Sequence, residues 1–116
     1  MCNSVYAEAG NPLNEKNSKK YYKSVVNFAI DAEEDVYFIY DSTVLGSCKQ
    51  GFAICSSGIY DCNVNNKKFY MPWETFKTIS YKKTFLDLKI GNRGFAMAPG
   101  DSKPIIKMLD VIKVAL

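Results

Sequence analysis

The sequence contains no histidine, and this absence excludes several kinds of catalytic site. Without an imidazole, a serine or cysteine nucleophile lacks its commonest general base, and no Ser-x-x-Lys pattern replaces it. Asp41-Ser42-Thr43 is therefore predicted to bond to nearby backbone groups at a strand end. Gly46 and Gly51 are not followed by Lys-Ser or Lys-Thr, so the spacing of a phosphate-binding loop is missing too. We expect no catalytic residue and no enzyme activity.

Long apolar runs are also lacking. The longest unbroken run is far below the roughly 20 residues that a helix needs to cross a bilayer. No apolar leader with a cleavage site precedes Cys2, so we expect neither a signal peptide nor a lipidated terminus. Free thiols suit a reducing compartment, and we therefore expect a cytoplasmic protein.

Cysteine is sparse, and its spacing does not match a metal site. The four cysteines are Cys2, Cys48, Cys55 and Cys62. The last three follow one another at seven-residue intervals, which matches no paired zinc-ligand spacing. We expect no metal and no cofactor, with small, free thiols on strands and in a loop. A Cys55–Cys62 disulfide across the predicted hairpin is the alternative that the sequence leaves open.

Positive and negative charges nearly balance. This balance excludes few classes of protein, but it gives no support to a nucleic-acid partner. The net charge is +3, too small to indicate a nucleic-acid-binding domain. A chain of 116 residues with 47% apolar and 23% charged residues is ordinary for one soluble domain. The aromatic fraction of 14% favours β structure.

Stretches rich in Val, Ile, Tyr and Phe predict strands, and turn residues separate them. The predicted strands are residues 36–40, 52–55, 59–62, 67–71, 79–81, 86–90 and 95–98. Ser56-Ser57-Gly58 has hairpin spacing, and Gly58 is expected to adopt a positive φ. Asn65-Asn66 is the predicted reversal of the next turn. Pro72 is expected at an edge, a bulge or a strand end, and residues 73–76 are expected to form a bend.

Two helices are predicted, one on either side of the strands. Residues 1–17 form the expected flexible lead, and residues 18–116 form the single domain. A helix over about residues 18–32, capped by Asn17 or Ser18, places an apolar face of Tyr22, Val25, Val26 and Ala29 on the sheet and its lysines (Lys19, Lys20 and Lys23) largely elsewhere. A membrane-surface or partner-binding helix is the alternative for this segment.

The C-terminal helix has the clearest pattern. Asp101 or Ser102 is the expected cap, and Pro104 falls in the first turn, where a missing N–H costs nothing. Its apolar stripe contains Ile105, Met108, Leu109, Ile112, Ala115 and Leu116. We expect the first four of these residues to be buried against the inner face of the sheet, because the strand at 86–90 has no other cover.

The segment FIYDSTVLGSCKQGFAICSSGIY, followed by KKFYMPWETF, resembles the bacterial pleckstrin-homology-like (PH-like) domain family. The matching residues are Asp41, Thr43, Gly46, Gly51, Phe52, Gly58, Ile59, Tyr60, Trp73 and Glu74. The likeness covers residues 36–116, and the predicted N-terminal helix lies outside it. It implies a mainly β fold (β+α): a PH-like partly open barrel of about seven antiparallel strands capped by a C-terminal helix, with an extra N-terminal helix.

The resemblance carries no catalytic residue. Eukaryotic relatives bind phosphoinositides through several Lys and Arg residues in the loop between their first two strands. The corresponding loop here, Asp41 to Gly51, has Lys49 as its one cation and also contains Asp41, which disfavours an inositol phosphate at this place.

We therefore predict a non-catalytic interaction module that binds a protein or peptide partner, or associates with itself, through barrel edges. The aromatic residues expected to be exposed are Tyr37, Tyr60, Tyr70 and Tyr81. The alternative is contact with a membrane or anionic lipid through the lysine-bearing helix and through turns that carry Lys67-Lys68 and Lys82-Lys83. The sequence assigns no individual binding residue.

Overall fold

The computed structural model describes residues 5–7, 15–43, 47–63, 67–84, 87–97 and 100–116, with side chains from residue 21 onwards. The strands are β1 (Val5–Ala7), β2 (Val36–Asp41), β3 (Gly51–Cys55), β4 (Gly58–Cys62), β5 (Lys68–Pro72), β6 (Tyr81–Lys83), β7 (Asp87–Ile90) and β8 (Arg93–Ala96). The helices are α1 (Glu15–Asn27), α2 (Trp73–Phe76) and α3 (Ser102–Ala115).

The strands form two antiparallel sheets. The larger sheet has the order β1-β2-β3-β4-β5, and the smaller has the order β6-β7-β8. Neighbouring strands in each sheet follow one another in chain order, and short connections join all of them except β1 and β2, which are separated by α1. The predicted mainly β character and C-terminal helix are confirmed. The described strands do not close into a barrel, because they divide between these two sheets.

The β3–β4 hairpin is confirmed, but its glycine has a different role from the predicted one. Ser56 and Ser57 form the turn, and Gly58 is the first residue of β4. The prediction of a positive φ at Gly58 is wrong. A Cβ atom at this position would lie 2.2 Å from the carbonyl oxygen of Met71 on β5. Glycine is therefore needed for the close approach of two strands rather than for the turn.

Most predicted strands are present, with shifted ends. Residues 79–81 were predicted as a strand, but β6 begins at Tyr81 and extends through the lysine pair. The predicted alternation in 86–90 is confirmed by buried Leu88 and Ile90, and β8 begins two residues earlier than predicted, at Arg93. Residues 73–76 form the short helix α2 instead of a bend. The predicted Asn65-Asn66 reversal, and residues 86 and 98, lie outside the described residues.

Both faces of the larger sheet are buried. On the inner face, a core of residues from both sheets, α2 and α3 surrounds Phe52, which has no exposed surface. On the outer face a second core lies beneath α1, and its members are Phe28, Ile30, Val36, Ile39, Ala53, Cys55, Tyr60 and Cys62. This arrangement explains the unbroken apolar sequence of β2: a strand covered on both faces needs no polar alternation.

The N-terminal region differs from its predicted form. Strand β1 lies within the predicted lead and pairs with β2, and three residues are too few to leave a pattern in the sequence. Helix α1 begins at Glu15 and ends at Asn27, earlier than the predicted end near residue 32. Its predicted apolar face is wrong for Tyr22, Val26 and Ala29, which are exposed, whereas Tyr21 and Val25 pack on the outer core. Its end is a Schellman motif, in which Ile30 N–H donates to Val25 O at 3.0 Å and Ala29 N–H donates to Val26 O at 3.2 Å. Because alanine occupies the position where glycine is usual, no residue in the sequence marks the end of this helix.

Helix α3 closes the open side of the inner core. Ile105 and Leu109 are buried, Met108 and Ile112 are half-buried against the same core, and Lys107 is exposed. The predicted burial is thus complete for two of the four residues. The side chain of Asp101, at the N-cap position, does not cap the helix. It instead accepts a hydrogen bond from the Tyr40 hydroxyl at 2.8 Å.

We expect Leu109→Ala to lower the free energy of unfolding by about 2–5 kcal/mol, because it removes a fully buried side chain and leaves a cavity. Lys107→Ala, on the exposed side of the same helix, should change it by less than about 0.5 kcal/mol. Urea denaturation monitored by circular dichroism measures both. Equal, small effects would show that α3 is not a core element.

Ala29→Gly should stabilise the fold. Ala29 has φ of 54°, a left-handed conformation that costs an L-residue about 1 kcal/mol relative to glycine, and its side chain is exposed. Ala32→Gly is the matched control, because Ala32 is also exposed but has no positive φ. We expect the first change to raise the melting temperature and the second to leave it unchanged or lower it. A loss of stability in Ala29→Gly would contradict the Schellman assignment.

Candidate functional site

The free edge of β5 is the first feature of the candidate site. β5 is the last strand of the larger sheet, and its residues Lys68, Phe69 and Tyr70 are exposed. Phe69 and Tyr70 keep 44% and 40% of their surface in contact with solvent. Exposure of adjacent aromatic residues on a terminal strand is unusual, because such edges favour pairing with other chains.

The hydrogen-bond register shows which backbone groups this edge offers. Two bonds flank the β4–β5 ladder: Trp73 N–H to Ser57 O at 3.2 Å, and Asn63 N–H to Lys67 O at 3.3 Å. Antiparallel pairing alternates, so Phe69 and Met71 direct their N–H and C=O groups towards β4. Lys68 and Tyr70 therefore direct theirs outwards. Pro72 also faces outwards, which explains how it ends the strand without loss of a ladder bond.

A groove lies between α1 and β5 on the outer face of the sheet. One hollow of about 300 Å³ is lined by Asn27, Lys49, Cys62 and Lys68. A second, of about 140 Å³, is lined by Phe28, Ala29, Tyr60, Lys68, Phe69 and Tyr70. A third, shallow hollow of about 500 Å³ lies against Tyr22, Lys23, Val26 and Asn27 of α1. Because the first hollow shares Lys68 with the second and Asn27 with the third, the three form one surface, here called the α1–β5 groove.

The α1–β5 groove is positively charged. Among the described residues, its lining includes Lys23, Lys49 and Lys68 and contains neither aspartate nor glutamate. None of these three lysines forms an ion pair with another described residue. The groove therefore combines unneutralised cations with the apolar surfaces of Tyr22 and Val26.

Glu34 organises the turn next to this groove. Its carboxylate accepts hydrogen bonds from the Ser56 hydroxyl at 2.9 Å, from Ser57 N–H at 3.0 Å, from the Ser57 hydroxyl and from the Tyr60 hydroxyl at 2.7 Å. The Tyr70 and Ser57 hydroxyls lie 2.7 Å apart, and the Tyr60 and Tyr70 rings are 4.6 Å apart. These hydrogen bonds and the ring contact therefore fix the positions of Tyr60 and Tyr70 in the groove lining.

The environment shifts the pKa values of this cluster. Burial tends to raise the pKa of Glu34, but the hydrogen bonds from Ser57, Tyr60 and Ser56 outweigh it and hold the pKa below its ordinary value of 4.5. Burial, followed by the hydrogen bond to the Glu34 carboxylate, raises the pKa of Tyr60. Glu34 is accordingly an ionised acceptor, and Tyr60 is a neutral donor, at neutral pH.

An ion pair beneath β5 joins the two sheets. Arg93 of β8 pairs with Asp61 of β4, whose exposed fraction is 2%. Burial raises the pKa of Asp61, and the hydrogen bonds and charge of Arg93 oppose that rise. The same guanidinium donates to Lys67 O at 3.0 Å and lies 4.9 Å from the centre of the Phe69 ring. Arg93 therefore supports the exposed edge from the inner side.

Cys55 and Cys62 are unreactive thiols. The register places Cys55 opposite Val36 and Cys62 opposite Gly51, at the two ends of the hairpin, so the predicted alternative of a bridge is wrong. Burial, and then the charge of Glu34, raises the pKa of the Cys55 thiol to about 12. Burial likewise raises the pKa of Cys62. Both are protonated at neutral pH and are weak nucleophiles.

Of the other residues with a predicted position, some lie where the sequence predicts and others do not. Asp41 Oδ1 accepts the Thr43 N–H at 2.9 Å, which confirms the predicted fixing of the strand end. Of the four tyrosines expected to be exposed, Tyr37 and Tyr70 are, but Tyr60 is buried beside α1. Tyr81 is half-buried, and its ring stacks on Phe76. The exposure of Phe69 is not predicted by the sequence, because a strand pattern does not show which strand lies at the edge of a sheet.

Metal binding and membrane crossing find no support in the part of the chain that is described. His, Cys, Asp and Glu side chains there form no group of three or more placed to hold a metal ion. None of the described helices has the length and apolar character needed to cross a bilayer.

Comparison with known proteins adds no relative: no family model, no curated protein and no solved structure matches this chain.

Glu34→Gln should flatten the dependence of stability on pH. Because the pKa of Glu34 is lowered in the fold, its ionised form stabilises the protein above the ordinary value of 4.5, and this contribution is lost as the pH falls through the lowered pKa. Between about pH 5 and pH 3, the unfolding free energy of the unmodified protein should therefore fall more steeply than that of the variant. Denaturant unfolding at each pH measures the difference. Glu33→Gln, at a neighbouring exposed position, should retain the unmodified slope.

Proposed function

We propose that this chain is a non-catalytic interaction module that takes an extended segment of a partner protein on the β5 edge by strand addition. The single observation that carries the proposal is the outward orientation of the Lys68 and Tyr70 backbone groups beside the α1–β5 groove. In strand addition, main-chain hydrogen bonds supply affinity, and neighbouring pockets select side chains. The β5 edge provides the main-chain hydrogen-bonding groups, and the groove provides the neighbouring pocket.

The proposed fold relationship is to the PH-like domains. Strands β2–β5, then β6–β8, then α3 follow the order of strands and C-terminal helix expected of that family. The sequence motif at Asp41, Gly51 and Tyr60 supports the same relationship. Since such a scaffold serves many functions, it supports a rigid platform and not a particular ligand.

The β6 edge is less suited to a partner strand. Helix α3 lies against this strand, where Tyr81 O–H donates to Asp110 at 2.6 Å and Lys113 donates to Ile79 O. A covering helix is one of the ways in which proteins block an edge. The contrast favours β5 as the edge that accepts a strand.

The proposal can be tested by hydrogen exchange and a proline substitution. Ten-residue peptides selected on the immobilised protein from a display library serve as probes. Before binding, the amides of Lys68 and Tyr70 should exchange faster than those of Phe69 and Met71, because only the latter pair donate to β4. Bound peptides should protect the two outward amides.

Lys68→Pro removes one outward donor, whereas Lys68→Ala removes the side chain and keeps the donor. We expect the proline variant to bind the selected peptides roughly tenfold more weakly than the alanine variant, the size of one backbone hydrogen bond. Both should remain folded, because the Lys68 N–H does not contribute to the β4–β5 ladder. Equal affinities, or peptides that protect amides elsewhere, would refute strand addition at β5.

A further inference from the structure

We infer that the segment accepted at the β5 edge alternates acidic with apolar side chains, with the acidic residues facing the α1–β5 groove. This inference rests on the proposed strand addition and names the chemistry of the partner. Side chains of an added strand continue the alternation of the strand it pairs with. The two faces of β5 therefore determine what each set of partner residues meets.

The groove face of β5 carries Lys68 and Tyr70. These residues pair with Cys62 and Tyr60, which belong to the core beneath α1, so all four lie on the same face. A partner residue on this face enters a surface whose described lining holds Lys23, Lys49 and Lys68 and no acidic residue. A carboxylate neutralises that charge, whereas a neutral or basic side chain leaves it unpaired.

The opposite face presents Phe69. Phe69 keeps 44% of its surface exposed, while the Arg93 guanidinium, already paired with Asp61, lies 4.9 Å from the ring centre. Because Arg93 is neutralised within the protein, the surface that it shares with Phe69 is mainly aromatic. A partner residue that points to this side gains most by being aliphatic, since it covers the ring and removes apolar surface from water.

A second copy of this chain fits the site less well. Pairing of two β5 strands about Tyr70 places Lys68 of one copy opposite Pro72 of the other, which lacks an N–H. A two-fold axis perpendicular to the sheet keeps the outer faces on the same side, so two basic grooves would adjoin. Like charges then oppose the association. Charge complementarity therefore favours an acidic partner segment over self-association.

Three synthetic heptapeptides test the inference: Glu-Val-Glu-Val-Glu-Val-Glu, its isomer with the glutamates and valines in separate blocks, and Lys-Val-Lys-Val-Lys-Val-Lys. Isothermal titration should show binding of the first and weak or no binding of the other two. The affinity should fall as salt is added, because the attraction is between charges at a solvent-accessible surface.

Charge reversal identifies the residue responsible. We expect Lys68→Glu to weaken binding of the alternating acidic peptide roughly tenfold to a hundredfold, the range for loss of a charge-assisted hydrogen bond, and to increase binding of the lysine peptide. Lys107→Glu makes the same change in net charge on exposed α3 and should leave both affinities unchanged.

The outcomes separate this inference from the proposed function. Equal binding of the block isomer or of the lysine peptide, or equal effects of Lys68→Glu and Lys107→Glu, would overturn the acidic alternation. Display-selected peptides that protect the Lys68 and Tyr70 amides but lack acidic residues would overturn it too, while strand addition stands. Absence of any peptide at the β5 edge, with Lys68-dependent sedimentation on phosphatidylserine vesicles, would overturn both in favour of an anionic membrane surface.

Discussion

Burial of β3 on both faces is the constraint on which the rest of the structure depends. Every residue from Gly51 to Cys55 is buried. A strand in the middle of a sheet can be buried in this way only if each face has a cover, and the two covers differ in kind. The second sheet, α2 and α3 cover the inner face, whereas α1 and the residues that follow it, Phe28 and Ile30, cover the outer face. The outer cover is short. Because this cover ends before it reaches β5, the edge of β5 stays uncovered and forms the candidate site.

The position of the α1–β5 groove follows from the end of α1. The Schellman motif at Ala29 turns the chain towards Ile30, which is buried in the outer core. Beyond that point no helix continues across Tyr70 and Lys68. A helix that reached the predicted residue 32 would add more than one turn. The backbone conformation of one alanine thus ends the helix before it covers β5, and the edge of the sheet stays accessible.

The sequence predicts the main elements well because their periodicity is strong. The buried faces of β7 and α3 follow from apolar spacing and the burial of β2 from its unbroken apolar run, and all three elements are present near their predicted positions. The candidate site itself depends on long-range contacts and on strand order, which the spacing of residues in the sequence does not predict. The Arg93–Asp61 pair joins residues far apart in the chain, and the exposure of Phe69 depends on which strand is last in the sheet. The burial of Tyr60 similarly depends on where α1 lies, which no local pattern encodes.

The single tryptophan occupies a position that makes it an internal reporter of this edge. Trp73 directly follows β5, and its indole Nε1–H donates to Ser56 O at 3.0 Å, in the turn that Glu34 organises. Its ring packs edge-on against Phe76, with the ring centres 5.5 Å apart. One fluorophore therefore senses the β3–β4 turn, the end of β5 and the inner core. Changes in its emission distinguish occupation of the edge from events at distant surfaces without any added label.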